Sequence, residues 1–378
     1  MKKILIDASS LSEKNPAGVS NYTYHIIKQI ANLSPKFILD VAFKPPLNSF
    51  FEKDLQLLAT EGKIKLSPLS LKFMWTQLGL SSKTFFSASS ILFATKHTLP
   101  VISNPLTKKV LTVHDVGFEK YHDKQSGDLN KSSLSRAVKI ADKIIAVSEY
   151  TKSQLIELLK VKPDKINVIY EGVDFERYND AKNDTQKIEE VQTKYNIKNY
   201  ILIIGTIQPR KNLKNQFAAF ANFEIEASQI EEDINLVVAG ANGWQYEDIL
   251  EEPGNLNIKD KVKFLGKVDE EDLPYLTAGA KLLSFVSLEE GFGLPVLNAF
   301  AAGVPVVTSN NSALKEVAGD GAILVSPENI QEIADAYRVV FFNKILQADL
   351  IDKGKKRARL FSWDKVAKET IELLTSLL

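Results

Sequence analysis

The sequence predicts an α/β protein built of two Rossmann-like domains with parallel sheets. Three observations predict it. Apolar β-type runs alternate with helical patterns along the whole chain. A polar stretch, roughly Asn179–Asn199, interrupts the alternation, and the alternation then starts afresh. The length, 378 residues, suits two domains of about 150–200 residues each.

In the first series Lys3–Asp7, Ile38–Ala42, Val110–Val113, Ile144–Val147 and Ile166–Tyr170 read as strands, short apolar runs rich in branched residues. Tyr22–Asn32, Leu134–Ala141 and Thr151–Leu159 carry helical spacing, with Ser148 placed to cap the last of them. The second series opens at Tyr200–Gly205. It continues through Asn235–Gly240, Val262–Gly266, Lys281–Val286, Val304–Thr308 and Ala322–Val325. Phe361–Leu378 carries apolar residues at Val366, Ile371 and Leu374 behind Trp363, and reads as an amphipathic helix. The expected organisation is a first domain over 1–180, a linker over 181–198, a second domain over 199–360 and a terminal helix over 361–378. In sheets of this kind ligands sit at the carboxyl ends of the strands, so a cleft between the two domains is the expected site.

Composition narrows the functional classes. With 44% hydrophobic and 25% charged residues the chain is globular. No apolar run approaches the ~20 residues of a membrane span, and MKKILIDASS reads as a first strand rather than a secretory signal. Cysteine is absent, which removes disulfides and thiolate chemistry and fits a cytoplasmic location. Four histidines argue against a His-rich metal site. The net charge is zero but uneven: residues 1–180 hold 25 Lys+Arg against 18 Asp+Glu, and the remainder is correspondingly acidic. A basic first half suits either an anionic membrane surface, at the inner face of the cell membrane, or a phosphorylated acceptor. Solvated helix faces would give the same count.

Three motifs carry chemistry. Glu290-Gly-Phe-Gly-Leu-Pro295 places a carboxylate before a glycine loop and a helix start, with Pro295 suited to the first turn. Val296–Ala302 is the expected helix and Gly303 its left-handed stop. Helix N-termini favour anions, so this stretch suits a ligand with both phosphate and hydroxyls. By itself it reads first as an ordinary loop-to-helix connection. Gly205-Thr-Ile-Gln-Pro-Arg210-Lys211-Asn212 follows a strand with a glycine turn and two adjacent cations. Arginine grips two oxygens at once and lysine adds a point charge, as a diphosphate requires. Third, His114-Asp115 follow the strand Val110–Val113. His114 is either a donor to a sugar hydroxyl or phosphate oxygen, or a satisfied structural residue. Pro16–Tyr22 is a glycine loop after the first strand, but it lacks the full G-x-G-x-x-G of dinucleotide binding, which argues against hydride transfer.

With these residues in view, the chain resembles a retaining glycosyltransferase of family 4, whose GT-B architecture is two facing Rossmann-like domains. GTIQPRKN at Gly205–Asn212 is similar to the family's phosphate segment, and EGFGLP at Glu290–Pro295 matches its signature. VHDVGF at Val113–Phe118, VSEYT at Val147–Thr151, YEGVD at Tyr170–Asp174, VAGANGW at Val238–Trp244, FLGKVDEEDLP at Phe264–Pro274 and FSWDKVA at Phe361–Ala367 agree in order. The resemblance is strongest to bacterial mannosyltransferases of surface-polysaccharide (lipopolysaccharide) assembly. It implies that Arg210 and Lys211 hold the donor diphosphate with the backbone around Phe292, Gly293 and Leu294. Glu290 would bind hydroxyls of the transferred sugar, and His114 would lie near it. Gly18 would shape the loop between donor and acceptor. Lys267 and Val268 would lie near the base, and the terminal helix would pack back on the first domain.

No D-x-D triplet occurs. The resemblance therefore implies metal-independent transfer with no cofactor beyond the nucleotide-sugar donor, and no nucleic-acid partner. The expected partners are a nucleotide sugar and a glycan or lipid-linked glycan, with peripheral membrane contact. GDP-mannose is the first donor expected, and a UDP-sugar the alternative. One position departs from the family. Its second signature glutamate, which meets the ribose, is replaced by Asn298. A charged acceptor contributes ~1.5–3 kcal/mol against ~0.5–1.5 for a neutral one, so weaker donor binding is expected. A non-catalytic nucleotide- or glycan-binding protein on the same fold is the rival that Asn298 keeps open.

Overall fold

The computed structural model describes residues 2–13, 18–34, 36–68, 89–99, 106–117, 124–229 and 233–378. It divides into two compact units. One comprises Met1–Gly172 with Trp363–Leu378, the other Val173–Ser362.

The first unit is a seven-stranded parallel sheet in the order β3-β2-β1-β4-β5-β6-β7. Its strands are β1 Lys2–Asp7, β2 Phe37–Phe43, β3 Ile64–Pro68, β4 Ile91–Ala94, β5 Lys108–Val113, β6 Lys143–Ala146 and β7 Ile166–Val168. β3 and β4 extend the pattern legible in the sequence. β4 is only four residues long, all buried, and a short run buried on both faces has no alternation to reveal it. Register is fixed along β1, where Ile4, Leu5 and Ile6 pair with Leu39, Asp40 and Val41. The Glu149–Leu159 helix is capped as expected, the Ser148 hydroxyl accepting from the Thr151 amide at 3.0 Å. The final helix, Trp363–Ser376, belongs to this unit: Trp363, Val366, Ala367, Leu373 and Leu374 lie in one apolar core with Ile4, Ile26 and Ile30. The Trp363 indole stacks on His25 at 4.7 Å, and a Cβ on Gly172 would fall 2.6 Å from that indole.

The second unit is a six-stranded parallel sheet, ordered β10-β9-β8-β11-β12-β13. Its strands are β8 Tyr200–Ile204, β9 Asn235–Ala239, β10 Val262–Gly266, β11 Leu282–Phe285, β12 Val306–Ser309 and β13 Ile323–Val325. β12 begins two residues later than expected. Pro305 stands outside it, where its carbonyl still accepts from Leu283 while its missing N–H costs nothing. The second unit begins at Val173, earlier than the expected 199, and takes in the segment 181–198 expected to be a linker, which is largely helical. Phe175–Ala181 and Thr185–Lys194 are capped by Asp174 and Asp184, and only the Val191 side chain of the second is buried. A helix that buries so little apolar surface leaves no strong period in its sequence.

Both sheets share one topology. The first strand of each lies in the middle, and the order reverses beside it, at β1/β4 in one unit and β8/β11 in the other. At such a switch point two loops diverge and leave a crevice at the strands' carboxyl ends.

Candidate functional site

The β8/β11 switch point is where the sequence's charged motifs meet. After β8 the chain turns at Gly205, whose carbonyl lies so close to Gly240 that a Cβ there would sit 1.9 Å from it. A short 3-10 turn, Pro209–Lys211, follows, and Asn212 then closes it in the left-handed conformation at φ 57°. After β11 the loop Ser287–Gly293 runs past this turn. It is pinned from β12 and the residues beyond: Ser309 donates to the Ser287 carbonyl, Asn311 to the Leu288 carbonyl, and the Glu290 amide donates to the Ser312 hydroxyl.

These two loops bring three charges together. Glu290 Oε2 lies 2.6 Å from an Arg210 guanidinium nitrogen, and Glu290 Oε1 lies 2.5 Å from Lys211 Nζ. Arg210 also donates to the Glu289 carbonyl at 2.6 Å, and Lys211 Nζ sits 4.9 Å over the Phe285 ring. All three side chains are largely buried, at 17%, 14% and 10% exposure. Burial alone would push the Glu290 carboxyl up; the adjacent Arg210 and Lys211 charges overcome this and hold it down at about 2. The triad is thus ionised at neutral pH and carries one net positive charge.

Phe292, Gly293 and Leu294 follow directly. Gly293 has φ 128°, and a Cβ on it would lie 2.7 Å from Leu314, so glycine is required there. It precedes the Leu294–Ala301 helix, which has no side-chain cap and carries Pro295 in its first turn. That leaves the positive end of the helix dipole beside the cations. The Phe292 ring is buried against Phe361 at 6.0 Å, so its backbone rather than its ring faces this loop's function. Gly303 stops the helix at φ 65°. Asn298 lies on this helix, half-buried, and its side-chain amide makes no hydrogen bond among the described residues. Lys267 is exposed and Val268 buried, just after β10 at the sheet edge, two strands from β8. They do not join the triad.

His114 belongs to the first unit, after β5. Its Nδ1 lies 2.7 Å from Glu171 Oε1 and its Nε2 lies 2.9 Å from the Thr95 carbonyl, with the Tyr22 ring edge-on at 4.9 Å. Both ring nitrogens therefore face acceptors, an arrangement that only the doubly protonated imidazolium satisfies. Burial would favour the neutral ring; Glu171 outweighs it, with help from the Thr95 carbonyl and Asp115, and raises the pKa. His114 is engaged within its own unit rather than presenting a free N–H. Its stabilising pair with Glu171 is complete below the ordinary histidine value and is lost only as pH rises through the raised one. By nitrogen-resolved NMR, His114 is expected to titrate above the ordinary value. In Glu171→Gln, where burial remains and the charge is gone, it should titrate below it. An unmoved titration would show that Glu171 does not set the charge.

Gly18 is the first residue of the Gly18–Leu33 helix, while Pro16 and Ala17 lie outside the described residues. Phe118 of the VHDVGF motif also lies outside them. Among the described residues no group of three or more His, Cys, Asp or Glu side chains could hold a metal ion. No described helix is long and apolar enough to cross a membrane. Sequence reasoning missed Glu171 as the partner of His114, since nothing ties two positions 57 apart. It also missed Gln216, Ser284 and Tyr337 beneath the triad, which read as helix and strand filler.

Comparison with known proteins agrees with this geometry. Residues 84–177 match the family model Glycosyltransferase Family 4, and residues 184–357 match Glycosyl transferases group 1, together more than half of the chain. O-antigen chain mannosyltransferase B of Escherichia coli is 29% identical over 272 residues, 70% of each chain. O-antigen chain mannosyltransferase RfbU of Salmonella typhimurium is 27% identical over 66% of this chain and 67% of its own. A glycosyltransferase from Rickettsia africae superposes with a TM-score of 0.75 at 17% identity, covering 100% of this chain and 98% of that one. Anabaena Alr3699/HepE, solved with UDP and glucose, superposes at 0.74 and 17%, covering 100% of both. The two matched stretches, the two parallel sheets and the charged switch-point loops make this chain a GT-B glycosyltransferase of the family 4 and group 1 type.

Proposed function

We propose that the chain transfers mannose from GDP-mannose to a glycan or lipid-linked glycan acceptor with retention of anomeric configuration. The second unit binds the donor and the first the acceptor. The observation that carries this reading is the Arg210–Glu290–Lys211 triad at the switch point, a net cation holding a carboxylate. The cations and the helix start neutralise the diphosphate, so no metal is needed. Glu290 accepts hydrogen bonds from hydroxyls of the sugar. The bond from the anomeric carbon to the diphosphate breaks and a bond to the acceptor oxygen forms on the same face. The departing phosphate oxygen takes the acceptor proton. The protein's part is positioning and stabilising the leaving charge. Mannose is favoured by the O-antigen mannosyltransferase relatives. A UDP-sugar donor is the second reading, favoured by the likeness to a protein solved with UDP and glucose. Work at the inner membrane face as a peripheral protein suits the basic first half.

Hydrolysis and transfer measured over a panel of GDP- and UDP-sugars, with chelator present, test the proposal. Turnover with GDP-mannose and release of an α-linked product are expected. Turnover only with UDP-sugars would transfer the case to the second reading, and an absolute need for metal would remove the cation-only account. Asn298 is assigned to the ribose. Asn298→Glu is therefore expected to tighten nucleotide binding by about tenfold, the difference between a charged and a neutral acceptor. Unchanged affinity by calorimetry would take position 298 out of the ribose site.

A further inference from the structure

Beneath the Arg210-Lys211 turn runs a chain of polar side chains inside an otherwise apolar core. Gln216, Ser284 and Tyr337 are all 0% exposed, among Phe217, Phe220, Phe223 and Val340. Gln216 Nε2 donates to the Lys211 carbonyl at 2.8 Å. Ser284 Oγ donates to Gln216 Oε1 at 2.6 Å, and Ser284 Oγ and Tyr337 Oη are 2.6 Å apart. The proton order follows by elimination. The Gln216 amide nitrogen is spent on a carbonyl, so its oxygen accepts from Ser284. The Ser284 hydrogen is then used, so Tyr337 donates to Ser284. Burial raises the Tyr337 phenol, which keeps its proton for that role. Three buried polar groups would be costly if any were unpaired, and here each is satisfied in one arrangement only.

That arrangement ends on the turn carrying the cations. Three successive carbonyls there are each held by a donor. Arg210 accepts from the Leu288 amide at 2.9 Å, Lys211 from Gln216 Nε2, and Asn212 from the Gln216 amide at 3.2 Å. Asn212 is pinned further, its Nδ2 donating to the Val286 carbonyl at 3.1 Å and the Pro327 carbonyl at 2.6 Å. With the carbonyls fixed, the turn has little freedom left, and Arg210 and Lys211 both project to Glu290.

We infer that Gln216, oriented by Ser284 and Tyr337, is a positioning residue that fixes the Lys211 turn for the donor diphosphate. The inference rests on the proposed role of Lys211, and its test separates the two. The probes are GDP and UDP in calorimetric titrations, with hydrogen exchange of the 205–213 amides read in parallel and thermal melting as the control for folding. Gln216→Leu is expected to weaken binding of whichever nucleotide the protein takes by about tenfold, the loss expected for one buried hydrogen bond. Tyr337→Phe, which keeps the ring and core packing, should cost about two- to threefold. Both should speed exchange in the turn. Placed on Lys211→Ala, Gln216→Leu should add less than about twofold, because it acts through that residue. Full additivity, or a lower melting temperature alone with exchange and affinity unchanged, would overturn the inference and leave a plain core network. If neither nucleotide binds the wild-type chain, the donor reading falls, and unchanged exchange in the turn would still overturn the positioning role.

Discussion

Lys211→Ala should weaken nucleoside diphosphate binding by about 100-fold. A charge-assisted hydrogen bond contributes ~1.5–3 kcal/mol, and each ~1.4 kcal/mol is tenfold in affinity. Lys211 Nζ is mostly buried beside the Phe285 ring, so its charge is screened less than a surface lysine's. Titrating the diphosphate against the matching monophosphate isolates the effect: the second phosphate should lose its advantage while the monophosphate changes little. Some melting-temperature loss accompanies the change, because Glu290 loses one of its two cations and keeps Arg210 and the Ser287 hydroxyl in a buried setting. Equal affinities for wild type and variant, with both folded, would remove Lys211 from the diphosphate site.

The sequence carried most of the fold because the strands, β3 and β4 excepted, are branched apolar runs or follow a turn residue. β8, β9, β11 and their neighbours are all of this kind. It carried the two sides of the site as well, since Arg210-Lys211 and Glu290 each lie in the loop that follows a legible strand. What it could not carry is pairing. Glu290 stands about 80 positions from Arg210, and only the strand order β8-β11 makes them neighbours. The same holds for His114 with Glu171 and for Ser284 with Gln216, where β-strand and helix residues of ordinary type meet in the interior. His114 shows the limit most clearly. An imidazole at a strand's carboxyl end looks available for a substrate, and the structure spends both its nitrogens inside the unit. The Thr185–Lys194 helix shows the converse limit, since its polarity hid a regular element.

The two cations and the carboxylate of the triad can be told apart by sign, and Glu290→Gln does so. The substitution keeps the shape and removes the charge, raising the triad from one net positive charge to two. Attraction for a diphosphate should rise, so GDP or UDP affinity should tighten by several-fold, opposite to Lys211→Ala. Sugar transfer should instead fall by about 100-fold or more, the range found when one group aimed at developing charge is removed. A fall in both affinity and transfer would mean that Glu290 acts by holding the cations in place. Stability gives a second reading. Glu290 is held at about 2 against an ordinary 4.5, so its contribution is fully present above 4.5 and is lost as pH falls towards 2. Wild type should therefore exceed the variant in urea unfolding at pH 7, and the gap should close steadily through pH 4 to pH 3. A gap independent of pH would place its origin in packing rather than in the ionised carboxylate.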